Sequence, residues 1–286
     1  MHRRLSYHPT MQRQLVVALA IGILLSGLGC RSESETEAPS TQLSTSPTEP
    51  SVLAPTLTAD EINEGWHLLF NGSTFDGWRG LGRSTIPLEH WKIEDGMIRK
   101  VDNGQVVTAS DGQPLNGGDI MTVDAYSDFE LRFEWRVNPG ANSGIKYNVS
   151  EMLSTTEPPS HAALGFEYQI LDDDLHPDAR VGPNRTAAGL YDLMGPDAAK
   201  ALRPVGQFNT GRIVFSGMHG EHWLNGMKVL EFDLDAPVFA ELLAKSKYDG
   251  ISSFAERRTG HIVLQDHGND VWFKNIKIRI MESETR

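Results

Sequence analysis

Most of the chain after residue 58 consists of short segments in which apolar and polar residues alternate. In DFELRFEWRVN (128–138), every second side chain is apolar, which is the two-residue period of a β-strand with one buried face. FEYQIL (166–171) repeats this pattern. GRIVFSGM (211–218), GHIVLQDHG (260–268) and VWFKNIKIRI (271–280) are rich in β-branched and aromatic residues. These segments predict a protein built mainly from β-strands.

Two dipeptides predict tight turns between neighbouring strands. Asp95-Gly96 lies between short alternating runs in WKIEDGMIRK, and Asn225-Gly226 does so in EHWLNGMKVLEFDL. Both dipeptides suit two-residue hairpin turns, in which the central residues adopt positive φ. The sequence therefore predicts at least two β-hairpins.

Helical periodicity is confined to one short segment, VFAELLAKSK (238–247), where apolar residues recur at helical spacing. No internal repeat or linker-like break divides residues 59–286. Many short strands with a single short helix predict an all-β fold, an antiparallel β-sandwich in one domain.

The first 29 residues have a different composition. Three arginines precede an apolar run over residues 15–28, which ends just before Cys30. A basic start, a short apolar segment and small residues before a cleavage site indicate a bacterial export signal over residues 1–29, and the run is too short for a good membrane span. Cys30, the only cysteine, favours the lipid anchor of a bacterial lipoprotein over a buried thiol. We expect an exported protein of the periplasm or cell envelope, attached to a membrane through Cys30.

Residues 30–58 are rich in Ser, Thr, Pro and Glu and show no apolar period. Such a segment cannot bury enough apolar surface to offset the entropy lost on ordering it. It predicts a disordered stalk between the signal segment and the folded domain at 59–286. Since there is no second cysteine, the core of that domain must hold it together without an intrachain disulfide.

The formal net charge of the chain is −12, and removal of the basic signal segment makes the remainder more acidic. Nucleic-acid binding needs clustered Lys and Arg against phosphate, so we expect no nucleic-acid partner. A neutral or cationic small ligand fits this surface better.

Several predicted strands carry unusual polar groups opposite their apolar faces. Glu134 accompanies Arg136, Glu167 accompanies Gln169, and an Asn-Ser-Gly turn leads into Lys146. For any one group, an ordinary surface ion pair is the simplest explanation. Because polar groups of this kind recur on several strands, the sequence favours a groove lined by these side chains.

Familiar metal and nucleophile motifs are missing from the sequence. It has no phosphate loop and no G-x-S-x-G motif, and its histidines lack zinc-ligand spacing. The run DDDLHPD offers hard oxygens for calcium but lacks the spacing and turn glycine of a known calcium loop. An acidic solvated turn explains the run equally well. No cofactor is specified, and a divalent cation such as calcium stays an open alternative.

Six blocks follow one another along residues 59–286: GWHLLFNGSTFDGW, ANSGIKYNV, LGFEYQILDDDLHPDA, AAGLYDL, GQFNTGRIVFSGMHGEHWLNGMKVLEFDL and GHIVLQDHGNDVWFKNIKIR. Together they resemble the family of 3-keto-disaccharide hydrolases. One local departure is Phe208, where we expect Trp. The resemblance implies a concanavalin A-like jelly-roll sandwich whose concave sheet holds sugar. It also implies cleavage of glycosides already oxidised at C3.

That implied reaction calls for specific residue types. A C3 ketone acidifies the C2 hydrogen, so a base can remove it; the C1–oxygen bond then breaks by elimination, and water adds afterwards. The route needs a base, a group that stabilises the enolate and an acid for the leaving group. The candidate bases are Glu167 and His267, followed by Glu134. Lys146 would stabilise the enolate, with a solvent-facing lysine as the alternative.

Further residues would bind the sugar under the same resemblance. Amides both donate and accept hydrogen bonds, as sugar hydroxyls require. Tyr147 and Trp223 would either form a platform for the sugar ring or pack in the core. The remaining candidates are Asn142, Gln169, Gln265, Tyr191 and Arg136, with Asp172 and Asp173 at the rim of the groove and His176 holding the adjacent turn.

Two other functions stay open on the sequence. A retaining glycosidase holds two carboxyls about 5 Å apart, and Glu134 and Glu167 could approach across neighbouring strands to form such a pair. The same sandwich also serves as a non-catalytic carbohydrate-binding module. Such a module needs aromatic residues and amides but has no use for Lys146 and His267 beside two glutamates. The oligomeric state is not specified.

Overall fold

A computed structural model of the chain describes residues 54–101, 118–156, 162–251 and 253–282. The predicted signal segment, Cys30 and most of the predicted stalk lie outside these ranges. The helices are α1 (Ala59–Asn63), α2 (Glu151–Thr156) and α3 (Pro237–Leu243), with short 3₁₀ turns at Pro177–Arg180 and Pro183–Arg185. The strands are β1 (Trp66–Leu68), β2 (Trp78–Gly80), β3 (Trp91–Glu94), β4 (Met97–Lys100), β5 (Ile120–Thr122), β6 (Phe129–Val137), β7 (Asn142–Val149), β8 (Phe166–Leu171), β9 (Asn209–Ser216), β10 (His219–Leu224), β11 (Met227–Asp233), β12 (His261–Leu264) and β13 (Val271–Ile280).

These strands form two antiparallel sheets, which confirms the predicted β-sandwich. Sheet A has the order β11-β10-β9-β6-β13-β4-β3, and β1 also pairs with β13. Sheet B has the order β2-β5-β12-β7-β8. Neighbours in sheet A such as β6 and β13 are far apart in the chain, so the sheet is assembled from long-range pairs.

Both predicted hairpins are present, and the predicted helix is shorter than expected. Asp95-Gly96 joins β3 to β4 and Asn225-Gly226 joins β10 to β11, with positive φ at all four residues. The predicted helix over 238–247 corresponds to α3, which ends at Leu243 because the following residues turn back toward the sandwich.

The core lies between the sheets and is formed by the predicted apolar faces. Phe129, Phe133 and Trp135 of β6 are fully buried against residues of sheet B. The ring of Phe133 packs edge-on against Tyr168, with 5.2 Å between the centroids. The alternation read in the sequence therefore identifies the buried face of β6 correctly.

A buried polar contact joins the two sheets within this core. His222 of β10 is 0% exposed. Its Nδ1 lies 3.0 Å from the Ala188 carbonyl oxygen and its Nε2 lies 2.9 Å from the Tyr147 hydroxyl. A neutral imidazole satisfies both contacts, because Nδ1 donates to the carbonyl and Nε2 accepts from the hydroxyl. Desolvation accordingly lowers the pKa of His222 from 6.5 to about 4.

This lowered pKa predicts an acid-sensitive contribution to stability. The unfolded chain binds a proton at this histidine below pH 6.5, whereas the folded chain does so only near pH 4. The contribution of His222 is therefore complete above pH 6.5 and falls by about 3 kcal/mol as the pH drops to about 4. Denaturant unfolding at several pH values, with wild type compared with His222→Gln, measures this difference.

The comparison with His222→Gln is needed because another group acts with the opposite sign. Desolvation raises the pKa of buried Asp119 from 3.8 to about 6, so its contribution grows as the pH falls through that interval. Both proteins contain Asp119, and its effect cancels in the difference between them. A difference that stays constant between pH 6.5 and pH 4 would contradict the role assigned to His222.

The described chain begins against the sandwich. Residues 54–58 were predicted to belong to the stalk, but Pro55 lies so close to Gly72 that a Cβ there would be 2.6 Å from the proline ring. Thr58 forms a capping box with Glu61 at the start of α1. No helix within the described ranges has both the length and the apolar composition needed to cross a bilayer.

Candidate active site

Sheet B carries a set of polar side chains on the face that points away from the core. In the β7–β8 pair, Lys146 lies opposite Glu167 and Gly144 lies opposite Gln169. Ile145 and Tyr168, also opposite each other, belong to the core. Alternation therefore directs Lys146, Glu167 and Gln169 to the outer face.

Neighbouring strands place further candidates on this face. The backbone N–H of Gln265, just beyond β12, donates to the Gly144 carbonyl. Asn142 stands two residues before Gly144 and so shares its face. Of the residues selected from the sequence, Lys146, Glu167, Gln169, Gln265 and Asn142 are thus brought together.

Lys146 and Glu167 form a buried ion pair at the centre of this face. Their side chains are 4% and 1% exposed, and Lys146 Nζ lies 3.5 Å from Glu167 Oε2. The ammonium group also donates to the Ala163 carbonyl at 3.1 Å. Burial with an opposite charge nearby keeps both groups in a fixed position, unlike the surface lysine that the sequence left open.

Gly144 makes room for the Glu167 side chain. A Cβ at Gly144 would lie 2.6 Å from Glu167 Oε1 and 3.0 Å from Glu167 Cδ. Any larger residue would displace the carboxylate, so glycine is needed here because the Glu167 side chain approaches the β7 backbone closely. The carboxylate lies directly over the backbone of β7.

Three buried oxygens on this face have no hydrogen-bond partner among the described residues: Asn142 Oδ1, Glu167 Oε2 and Gln265 Oε1. Buried polar atoms in proteins are nearly always paired, so such atoms need an explanation. Convergent acceptors on one face are suited to the hydroxyl groups of a sugar. Glu167 Oε2, which is ion-paired with Lys146 but makes no hydrogen bond with the described residues, has a lone pair that can accept a proton.

The segment after β8 forms one wall of the site. Residues 187–191 run along the free edge of β8, where Ala188 donates to the Gln169 carbonyl and Tyr191 donates to the Glu167 carbonyl. The Tyr191 hydroxyl donates to Asp178 at 2.8 Å. Tyr191 was predicted to contact sugar, and the structure places it beside Glu167.

Lys247 belongs to the same wall and was not identified from the sequence. Its Nζ lies 4.2 Å from the centroid of the Tyr191 ring, and its backbone N–H donates to Asp192. The Lys247 side chain reaches solvent, but the surrounding protein limits its hydration, and this desolvation lowers the pKa of Lys247 to about 8. Two nearby charges act in opposite directions on this pKa: Glu167 raises it and Lys146 lowers it. Lys247 follows α3 in a loop, where no local pattern indicates a role.

A buried charged network supports the site from below. Asp266 accepts from His90 through Oδ2, and its Oδ1 lies 2.9 Å from Lys100 Nζ. Burial would raise the pKa of Asp266, but His90 and Lys100 outweigh it and the pKa is lowered. Asp119 accepts the backbone N–H groups of Asp266 and Ala163, so it links this network to the carbonyl that holds Lys146.

His267 stands at the end of sheet B rather than at its centre. Its ring packs edge-on against His176, with 5.8 Å between the centroids. Desolvation lowers the pKa of His176, whose Nδ1 accepts from Asp178 N–H and caps the 3₁₀ turn. The prediction that His176 holds this turn is confirmed.

Asp172 and Asp173 were predicted to contact sugar, but both carboxylates hold the protein's own loops. Asp172 is buried and accepts backbone N–H groups from Gly140, Asp174 and Leu175. Asp173 accepts from Ala187 N–H and pairs with Lys200 at 2.7 Å. These aspartates shape the wall of the site and leave little capacity for a ligand.

The prediction that Glu134 could approach Glu167 across neighbouring strands is wrong. Glu134 is on β6 of sheet A and Glu167 is on β8 of sheet B, with the core between them. Glu134 accepts from Asn275 on the outer face of sheet A. Arg136, also placed in the groove, lies on that face with its guanidinium 4.2 Å from the Trp272 ring. The sequence assigned to one groove residues that the two sheets place on opposite sides.

The two predicted aromatic platforms also lie elsewhere. Tyr147 is 0% exposed and packs in the core against Phe129 and Phe166. Trp223 lies on the outer face of sheet A, half-buried beneath Arg212. The core alternative left open for Tyr147 is the correct one, because the register of β7 turns it inward.

The carboxylates of the aspartate run are engaged by protein groups in the described part of the chain. Asp178 pairs with Arg185 at 2.9 Å, while Asp172 and Asp173 are engaged as described. Among the described residues, a group with metal-ligand spacing occurs at His219, Glu221 and Glu231 on the β10–β11 hairpin. Lys228 pairs with both of these glutamates, so ordinary ion pairs account for the group.

Comparison with known proteins adds an independent observation. A sequence profile of the 3-keto-alpha-glucoside-1,2-lyase-like domain matches residues 65–279. A 3-keto-disaccharide hydrolase of Bacteroides thetaiotaomicron is 35% identical, over 77% of this chain and 79% of that protein. Two crystal structures of Parabacteroides distasonis ATCC 8503 proteins described as glycosyl hydrolases also match. The first has a TM-score of 0.69 at 28% identity, and the match covers 80% of this chain and 100% of that chain. The second has a TM-score of 0.55 at 26% identity, and the match covers 76% of this chain and 99% of that chain.

Proposed function

Because the chain belongs to the 3-keto-alpha-glucoside-1,2-lyase-like family, we propose that it cleaves the glycosidic bond of sugars that carry a ketone at C3. The active site is the outer face of sheet B. The observation that carries this proposal is the buried Lys146–Glu167 ion pair, which stands beside amide oxygens that have no hydrogen-bond partner among the described residues.

Glu167 is the base that removes the C2 proton. The ketone at C3 makes this proton acidic because the carbanion delocalises onto the carbonyl oxygen. A base must lie within hydrogen-bond reach of the proton and have a free lone pair. Glu167 Oε2 lies 3.5 Å from Lys146 Nζ and makes no hydrogen bond with the described residues, so it has a lone pair to offer the C2 proton.

Lys146 stabilises the enolate oxygen that forms at C3. Its ammonium is already held beside Glu167 by the Ala163 carbonyl, so little reorganisation accompanies the appearance of negative charge. Collapse of the enolate forms the C1–C2 double bond and expels the glycosidic oxygen. Addition of water across that double bond then gives the free 3-keto sugar, and the net reaction is hydrolysis.

Lys247 donates the proton that the leaving oxygen requires. It stands on the wall that carries Tyr191, which is hydrogen-bonded to the backbone of Glu167. Desolvation lowers the pKa of Lys247 to about 8, which makes its ammonium a stronger acid than an ordinary lysine near neutral pH.

This role predicts the alkaline limb of the pH–rate profile. An acid must be protonated to act, so kcat should decline as the pH rises through about 8. Lys247→Met should lower kcat by about 10²-fold and remove that decline. Lys245→Met, two residues earlier on the exposed surface, is the matched control. An unchanged alkaline limb in Lys247→Met would exclude Lys247 as the acid.

The two alternative functions are less well supported. The Glu134–Glu167 pair that an ordinary glycosidase would have used does not form. A binding module would not require a buried lysine–glutamate ion pair at its sugar contact. Neither reading explains why a lysine and a glutamate should converge on one ligand.

The direct test is cleavage of a 3-keto disaccharide and of its unoxidised parent by the purified protein, with and without a chelator. We expect release of free sugar from the keto compound only. Release from both would indicate ordinary glycoside hydrolysis. Release from neither, with measurable sugar binding, would leave a carbohydrate-binding protein. Loss of activity with chelator would establish a required metal.

We also propose that the protein is exported and lipid-anchored at Cys30. The proposal is supported by the basic, apolar and small-residue sequence of residues 1–29 and by the polar segment that follows. Fatty-acid labelling of cells that express the chain should mark wild type but not Cys30→Ser. Equal labelling of both proteins would exclude Cys30 as the attachment site.

A further inference from the structure

A cavity lies on the outer face of sheet A, on the opposite side of the sandwich from Glu167. This cleft has a volume of about 560 Å³ and is lined by side chains of β6, β9, β10 and β13 together with the segment 55–58. Glu134 and Trp223, which the sequence placed in the catalytic groove, both line it. A site for one small ligand typically has a volume of about 300–1,000 Å³.

The floor of the cleft combines an aromatic ring with a guanidinium group. Arg212 Cζ lies 4.5 Å from the Trp223 ring, and its Nε lies 2.7 Å from Glu130 Oε1. Among the described residues, its two Nη groups make no hydrogen bond. The Trp223 indole N–H donates to Glu221 at 2.7 Å, which fixes the ring while part of it stays exposed.

The wall of the cleft contains a bulge in β13 that presents an amide. The pairing of β13 with β6 shifts register between Lys274 and Lys277. Asn275, within this bulge, has φ of 51°. Its Nδ2 donates to Glu134 Oε1 at 2.6 Å, so its Oδ1 remains available as an acceptor. Strained backbone at a bulge commonly serves to direct a side chain toward a ligand.

The charges of this face largely cancel. Three cations line the cleft, Arg132, Arg212 and Lys277, and three carboxylates balance them: Glu61, Glu134 and the buried Glu130 that both arginines contact. A phosphate or a nucleic acid requires clustered unpaired cations, which this arrangement does not offer. Donors at Arg212 alternate with acceptors at Asn275 and the Thr210 hydroxyl, beside a partly exposed indole.

This chemistry matches an uncharged polyhydroxyl compound, because each hydroxyl can donate and accept while the C–H face of a sugar ring packs on an indole. We propose that the cleft on sheet A is a binding site for a neutral saccharide of one or two rings, separate from the active site. Such a site would hold an uncleaved glycan while the opposite face acts on keto sugars. It does not depend on the proposed function.

The test measures binding of cellobiose and maltose to the purified protein by ligand-observed NMR. Trp223→Leu removes the indole, and Asn275→Gly removes the amide while retaining the positive φ. We expect the affinity to fall at least tenfold in both variants, with kcat/KM on a 3-keto disaccharide within about twofold of wild type. Gln169→Ala, on the active-site face, is the control and should leave this binding intact.

Three results would overturn the proposal. The first is equal affinity in wild type and both cleft variants. The second is no binding of either disaccharide to wild type at a ligand concentration of about 20 mM, and the third is binding of an acidic disaccharide only. If Trp223→Leu fails to fold, Asn275→Gly still decides the question. Saccharide binding in the cleft without cleavage of any keto sugar would contradict the proposed function and leave this inference standing.

Discussion

Glu167→Gln is expected to lower kcat by about 10²- to 10⁴-fold, the range that a positioned general base contributes. Glutamine keeps the shape of the side chain over Gly144 but cannot accept the C2 proton. KM should change by less than about threefold, since sugar contacts at Asn142 and Gln265 are untouched. Steady-state kinetics on a 3-keto disaccharide measure both quantities.

A second measurement separates the proton transfer from a general loss of structure. Wild type should show a primary isotope effect with substrate deuterated at C2, because that bond breaks in the proposed step. Glu94→Gln is the matched control: it makes the same chemical change at a glutamate of β3 that pairs with Lys92 of the same strand and Arg99 of β4, and it should leave kcat unchanged. A Glu167→Gln variant that retains full activity would transfer the role of base to His267.

Asp266→Asn is expected to reduce the free energy of unfolding by about 3–5 kcal/mol, because removal of one partner leaves a buried charge without compensation. Lys100 is 0% exposed, and Asp266 is the carboxylate paired with its ammonium among the described residues. After the substitution the ammonium keeps neutral acceptors such as the Val101 carbonyl but loses this opposite charge. Denaturant unfolding of the variant and of wild type gives the difference.

The double variant Lys100→Met with Asp266→Asn tests the cause. If the loss comes from the unpaired ammonium, removal of that ammonium should recover most of the stability, so the double variant should be more stable than Asp266→Asn alone. Additive losses would instead indicate that Asp266 acts mainly through its contacts with His90 and Gly268.

The strands and hairpins could be predicted because each is encoded locally. One face of β6 is buried, so its apolar residues recur at every second position, and the Asp95-Gly96 turn needs only its own two residues. α1 and α2 were not predicted because five or six residues give no helical period. α3 was predicted too long because Lys247 bonds to Asp192, a distant residue that alters the path of the chain.

The site could be predicted only in part because alternation identifies a face but not its sheet. Lys146 and Glu167 are close in sequence and lie on adjacent strands, so their meeting follows from local pairing. Glu134 has the same pattern, yet β6 pairs with β9 and β13 and belongs to the other sheet. Lys247 is brought to Tyr191 by a long-range contact, which the periodicity of its own segment does not reveal.

The segment 187–191 also has a consequence for the solubility of the protein. An uncovered edge strand offers free N–H and C=O groups to other chains and promotes aggregation. By bonding to β8 at Gln169 and Glu167, this segment covers the edge of sheet B with the same residues that build the wall of the active site. Substitutions that loosen it should therefore cause loss of activity and self-association together, which makes tolerance to mutation low here even for residues that never touch substrate.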